Sequence, residues 1–261
     1  MRTLLVTATF LVATAAGAAQ LRETIDRTFD VRPGANVVLS NVNGGITISS
    51  WDQPRVHIVA EKEVDGDRDE VKNALRELRV EMQPRDGGLV VTTHYPKEGH
   101  GAASLFDWLT GDDVDAEVRY TVTVPRTMNV DVTNTNGAIH LSDVSGTLEL
   151  DTTNGRIEVT RCAGSLDAST TNGSIKAELV RIAQGQPLRF ETTNGRIDVA
   201  VPASAGADVD AATTNGSISS DLPVATTRTS SNSLRGTING GGTSIRLRTT
   251  NGGITIRKIG S

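Results

Sequence analysis

The chain has 261 residues, with 26 Lys+Arg against 31 Asp+Glu and a formal net charge of −5. Hydrophobic residues make up 37% and aromatic residues only 3%, so a core must be built from Val, Ile, Leu and Ala in many thin layers. That argues against a compact enzyme with an aromatic-lined pocket. A mildly acidic surface without basic runs argues against nucleic acid as a partner.

Met1 to Ala19 carries a lone cation at Arg2, an apolar run from Leu4 to Val12, and the small residues Ala13-Thr14-Ala15-Ala16-Gly17-Ala18-Ala19. This is the three-part pattern of a secretory signal peptide over residues 1–19, with cleavage expected after Ala18 or Ala19. A buried helix or membrane anchor is the alternative, but the apolar part falls short of the ~20 residues a span needs. No later stretch reaches ~18 apolar residues. A single mature domain over residues 20–261 is therefore expected, exported to the periplasm or the extracellular space, with no transmembrane segment.

One Asn-Gly unit spans Val37 to Ile48, and strands are expected at 56–59, 89–92 and 118–124. Between them, Asp67 followed by Glu70 resembles a capping box, and Val71, Ala74, Leu75 and Leu78 form one apolar stripe. These predict an amphipathic helical insertion over 66–80 that packs on an edge or end of the sheet. Residues 98–117 read as an acidic and aromatic loop. Its acids, Asp112, Asp113 and Asp115 among them, lack the ordered spacing of a calcium loop.

From Asn136 onward the phrase T-T-N-G-x-I recurs, with Asn-Gly at Asn136, Asn154, Asn172, Asn194, Asn215, Asn239 and Asn251 in addition to Asn43. A period of ~18–22 residues marks a stacked array. Aligned on the Asn, the position three later is Ile46, Ile139, Ile157, Ile175, Ile197, Ile218 and Ile254. The positions six before, four before and five after are mostly apolar, and those between are mostly polar. Each copy therefore reads as strand, Asn-Gly turn, strand. Asn239 breaks this pattern, leaving Ser219 to Gly242 as an irregular copy.

Two topologies fit. Asn-Gly favours a type I′ hairpin, which would pair Leu150 with Val159 and Thr152 with Ile157 in an antiparallel β-meander or sandwich. A right-handed β-solenoid would instead stack like residues ~4.8 Å apart. The unbroken Ile column favours the solenoid, as do Glu158, Lys176 and Asp198, which alternate in sign four residues after the Asn. The Gly after each Asn is expected to supply a left-handed turn. The expected fold is thus all-β, a right-handed β-solenoid with one inserted helix.

Chemistry-bearing patterns are sparse. The four His show no ligand spacing, and no nucleotide or nucleophile motif occurs. No cofactor is expected. Asp151, Glu158 and Asp198 alternate with cations or Ser, so they lack the convergence of a glycosidase pair. Cys162 cannot form an internal disulfide; a free thiol, an intermolecular bridge or a small buried residue at a turn all remain open. Phe106 and Trp108 are the aromatic concentration outside a strand, and either offer a partner-binding tip or cap the stack.

The Val42-Asn43-Gly44-Gly45-Ile46 opening, the serial T-T-N-G-x-I phrases, and the closing Leu234 to Gly242 stretch leading to Thr250-Asn251-Gly252-Gly253-Ile254 resemble the bacterial DUF4097 adhesin-like domains. These are similar to the wider toast-rack group of envelope β-solenoids. The resemblance implies a non-enzymatic domain tied to surface adhesion or envelope stress, with no catalytic residues. The expected function is an adhesin-like interaction scaffold at the cell envelope, binding an envelope protein or polysaccharide. A β-helical polysaccharide-active enzyme and a soluble partner in envelope-stress signalling are the alternatives.

Overall fold

The computed structural model describes residues 7–14, 19–66, 68–96, 114–182 and 184–259. Among them the chain is all-β, with one sheet of 21 strands and a single helix. In the Asn154 copy the chain enters along β11 (Ser145–Asn154) and leaves along the start of β12 (Ile157–Asn172). β11 and this first part of β12 do not pair with each other. β11 lies parallel to β9 (Asn129–Asn136) on one side and to the second half of β12 on the other. The start of β12 lies parallel to β10 (Ile139–Ser142) and β13 (Ile175–Arg181).

The hairpin pairs of an antiparallel meander are therefore absent: Leu150 stands between Val132 and Ala168, and Ile157 between Ile139 and Ile175. Every apolar column read from the alignment is realised as an in-register ladder. The isoleucines run Ile46, Ile139, Ile157, Ile175, Ile197, Ile254, Ile218. All are buried except the terminal Ile218, which is partly covered. Phe190, the one ring in these columns, stacks on Ala168, whose small side chain leaves it room.

The glycines after the Asn serve a different purpose from the one expected. Gly44, Gly137 and Gly252 have positive φ, but Gly155, Gly173, Gly195 and Gly216 do not. A Cβ on Gly173 would lie 1.9 Å from the Gly155 carbonyl oxygen, and one on Gly195 would lie 1.9 Å from that of Gly173. The backbones stack too closely at this corner for any side chain.

Spatial order departs from chain order at both ends. Near the N-terminus, β3 (Asn36–Ser40) and β4 (Ile46–Trp51) stack between the Asn136 copy and an outer pair, β7 (Gly88–His94) and β8 (Val114–Pro125). β7 and β8 thus take the place of one further copy. Residues 114–117, expected in the acidic loop, open β8, where Ala116 and Val118 already alternate inward.

At the other end, β20 (Thr243–Asn251) and β21 (Ile254–Lys258) insert between two copies that precede them in sequence. On one side are β14 (Leu188–Asn194) and β15 (Ile197–Val201); on the other are β16 (Ala207–Asn215) and β17 (Ile218–Ser220). The Ser219 to Gly242 segment is not a copy of the repeat. It forms an antiparallel hairpin, β18 (Val224–Ser230) with β19 (Ser233–Ile238), laid against β16, and Arg235 reaches out to Asp210 at 2.9 Å. Asn239, Gly240, Gly241 and Gly242 then turn back with φ of 48°, 83°, 91° and 148°. This tight reversal passes close to Gly206, where a Cβ would lie 2.5 Å from the Gly241 carbonyl oxygen.

Beyond β8 the sheet continues antiparallel through β5 (Arg55–Gly66), β2 (Ala19–Asp30) and β1 (Thr7–Thr14). β1 lies inside the stretch with the signal-peptide pattern and pairs only with β2, so no repeat strand depends on it. Beyond β7 lies β6 (Arg79–Arg85), also antiparallel. The expected helix is α1 (Arg68–Glu77), packed against β2, β5 and β8, with Val71, Leu75 and Leu78 buried. Cys162 is a small buried residue at a corner beside Arg161, whose φ is 53°, and burial pushes its thiol up to about 11.

Because Ile175 is wholly buried inside the ladder, Ile175→Ala should cost roughly 2–5 kcal/mol. An unchanged midpoint in chemical denaturation would contradict this.

Candidate interaction surface

The Asn side chains form a hydrogen-bonded ridge along the stack. Each Nδ2 donates to the Oδ1 of a neighbour: Asn154 to Asn136, Asn172 to Asn154, and Asn194 to Asn172, each at 2.8 Å. The ridge continues from Asn251 to Asn194 at 2.7 Å and from Asn215 to Asn251 at 2.8 Å. Beneath it the first Thr of each phrase is buried and donates to a glycine carbonyl of a copy adjacent in the stack. Thr170 reaches Gly155 at 3.0 Å, Thr192 reaches Gly173 at 2.9 Å, and Thr213 reaches Gly252 at 2.8 Å. The Asn and Thr of the phrase are therefore spent on structure.

Asn43 sits at the head of the ridge and turns aside, its Nδ2 donating to the Ala116 carbonyl at 3.0 Å. The Tyr95 hydroxyl accepts from the Asn43 backbone N–H at 2.9 Å, and Tyr120 meets Thr93 at 2.6 Å. Burial pushes the Tyr120 phenol up to about 12 and raises Tyr95 further still. Phe106 and Trp108 lie outside the described residues, as do Asp112 and Asp113. β7 and β8, the strands on either side of this segment in sequence, pair with β3 and β4 and so bracket Asn43.

A groove of 720 Å³ runs across the outward face of β9, β11, β12 and β14. One column along it reads Asp131, Glu149, Asp167, Arg189, and the next reads Thr133, Asp151, Ser169, Glu191. Thr171 and Thr193 line its margin. Ser169 donates to Asp151 at 2.5 Å, and Arg189 holds Glu191 at 2.8 Å and Asp167 at 3.9 Å. Among the described residues, Asp131 and Glu149 have no cation within ion-pair distance. Partial burial lifts the Asp167 carboxyl above its usual range; Arg189 opposes this, while Glu191 and Asp151 add to it.

Of the acids singled out in the sequence, only Asp151 joins the groove. Glu158 is taken up by Lys176 at 3.0 Å, as the sign alternation suggested, and Asp198 is taken up by Arg257 instead. The stack of Asp131, Glu149 and Asp167 was missed. Its signal stood in the same alignment, five positions before the Asn. No group of three or more His, Cys, Asp or Glu among the described residues is arranged to hold a metal ion.

Two outcomes follow. A carboxyl whose folded pKa is raised binds its proton more tightly in the native state, so its charge costs stability above the usual carboxylate range and not below it. Asp167→Asn should raise the melting temperature near pH 7 and leave it unchanged at about pH 3; a drop near pH 7 would contradict the assignment. Asn172→Ala removes two ridge bonds and should cost about 1–2 kcal/mol in the same assay.

The Toastrack DUF4097 family matches residues 115–257, from the start of β8 to near the end of β21. No curated protein matches the chain. Among solved structures it is similar to one provisionally named a cell adhesion protein from Clostridium sporogenes ATCC 15579, at 13% identity and a TM-score of 0.40, covering 89% of this chain and 98% of that one. A second, provisionally named an adhesin from Bacteroides fragilis NCTC 9343, matches at 13% identity and a TM-score of 0.40, covering 90% and 97%. A third, provisionally named a lipid binding protein from Parabacteroides distasonis ATCC 8503, matches at 11% identity and a TM-score of 0.34, covering 90% and 96%. With more than half of its length matched by the family, the chain belongs to the Toastrack DUF4097 family.

Proposed function

We propose that this chain is a non-enzymatic, exported β-solenoid of right-handed coil that serves as an adhesin-like interaction scaffold at the cell envelope. The carrying observation is the groove of 720 Å³, which draws its polar lining from four parallel strands rather than from a loop. Side chains fixed at strand spacing recognise a repeating or extended partner better than a small substrate. An envelope protein or a polysaccharide has that form. The signal-peptide pattern at residues 1–19 agrees with this placement.

Phe106 and Trp108 belong to this reading as an additional contact. Tyr95, which precedes their segment in the chain, meets Asn43 at the head of the Asn ridge. Trp108→Ser should leave the melting temperature unchanged and weaken capture of the partner from envelope extract. Loss of folding would instead make the ring a cap.

A polysaccharide-active enzyme is the second reading, favoured by the raised Asp167 carboxyl beside Asp151 in the groove. Paired carboxylates are the chemistry of glycoside hydrolysis. Incubation of the purified protein with a panel of envelope polysaccharides decides between the two. Binding without new reducing ends supports the scaffold; turnover abolished by Asp167→Asn overturns it.

A further inference from the structure

β2 ends the antiparallel series β8, β5, β2, and the strand on its far edge is β1. Because β1 lies within residues 1–19, the inference rests on the export reading: removal of the leader bares that edge. β1 itself pairs antiparallel with Ala19 to Asp26, so the edge is competent to take a strand. It carries charges at Arg22, Glu23, Asp26, Arg27 and Asp30, but lacks two other protections, a proline and a bulge. β2 carries no Pro and keeps unbroken register with β5 from Ala19 to Asp30, whereas the edge strand β6 carries Pro84 among charged residues. A long, regular edge without proline or bulge invites pairing with another chain whose charges match.

We propose that the mature chain pairs through this edge with β2 of a second copy, antiparallel, about a two-fold axis at Ile25. The sequence of β2 is self-complementary in that register. Leu21 falls opposite Phe29 of the second copy, Glu23 opposite Arg27, and Ile25 opposite itself. These residues share the face of Val56, Ile58, Ala60, Lys62 and Val64, their partners on β5. Leu21, Ile25 and Phe29 are only partly buried against the core, so the pairing would extend their cover. Glu23 is already held by Lys62 at 2.5 Å, while Arg27 has no ion-pair partner among the described residues. The second copy supplies one, twice over by symmetry.

Neighbouring registers lose this match. An axis at Thr24 sets Glu23 against Ile25 and Leu21 against Arg27. An axis at Asp26 sets Glu23 against Phe29 and Ile25 against Arg27. Only the Ile25 axis pairs charge with opposite charge and apolar with apolar, which is what fixes the register of a strand pair.

The test uses the exported protein recovered from the cell, with intact-mass measurement and sedimentation equilibrium. A chain lacking residues 1–18 or 1–19 should sediment as a dimer. Arg27→Glu, which sets Glu against Glu twice, should weaken its dissociation constant about tenfold with the circular dichroism unchanged. Ile25→Cys should give a disulfide-linked dimer, since only the position on the axis meets itself, and Arg22→Cys should not. A monomer at about 100 µM, a dimer indifferent to Arg27→Glu, equal cross-linking at both Cys positions, or an edge filled by a different protein would each overturn the pairing. Retention of residues 1–19 would overturn the export reading alone. The chain begun at Gln20 then decides the pairing, and a monomer there refutes it.

Discussion

The fold depends on how closely successive copies approach at the Asn-Gly corner. There a glycine carbonyl of one copy sits where the next would carry its Cβ, 1.9 Å from that point at Gly173 and at Gly195. Such contact forces backbones to stack in register, and the other ladders follow from it. The buried Thr hydroxyls reach those same glycine carbonyls, and the Asn side chains meet one another along the ridge. A polar corner that would otherwise be buried without partners is satisfied by repetition alone.

Register at the corner also dictates the surface. Whatever stands at one position of the phrase becomes a stripe along the stack, inside or out. Isoleucine makes the interior stripe, and the residues five before the Asn make the acidic one from Asp131 to Asp167. A groove of this kind varies without cost to the core, because its residues point away from the ladder that holds them. Like charges stacked in register repel, and Arg189, next in the column, reaches only the nearest of them. The protein tolerates this cost on a face it leaves open, which suits a face that meets partners.

The repeat, its inward columns and the helix were legible because each is a local periodicity. The Val71, Leu75 and Leu78 stripe and the seven-membered Ile column needed nothing but spacing. Stacking order was not legible. Asn194 and Asn251 carry the same phrase as Asn194 and Asn215, so nothing local says which two are neighbours. The choice falls to the Asn239 to Gly242 reversal beside Gly206, a contact between residues far apart in sequence. The strands β2 and β6 carry alternation diluted by charges such as Glu23, Arg27 and Glu81, and so escaped notice. The acidic stripe is written five positions before the Asn, but outward residues carry no apolar periodicity to mark it.

The insertion of β20 and β21 between older neighbours bears on how the molecule comes to be. A stack built in chain order could grow copy by copy as the polypeptide emerges. Here the Asn194 copy cannot meet its final neighbour until Thr243 to Lys258 arrives, and the Asn215 copy waits with it. The distal third thus closes last and as a unit, through contacts of high sequence separation that form slowly. On the export proposed above, that delay leaves the far end unsealed until β20 and β21 arrive.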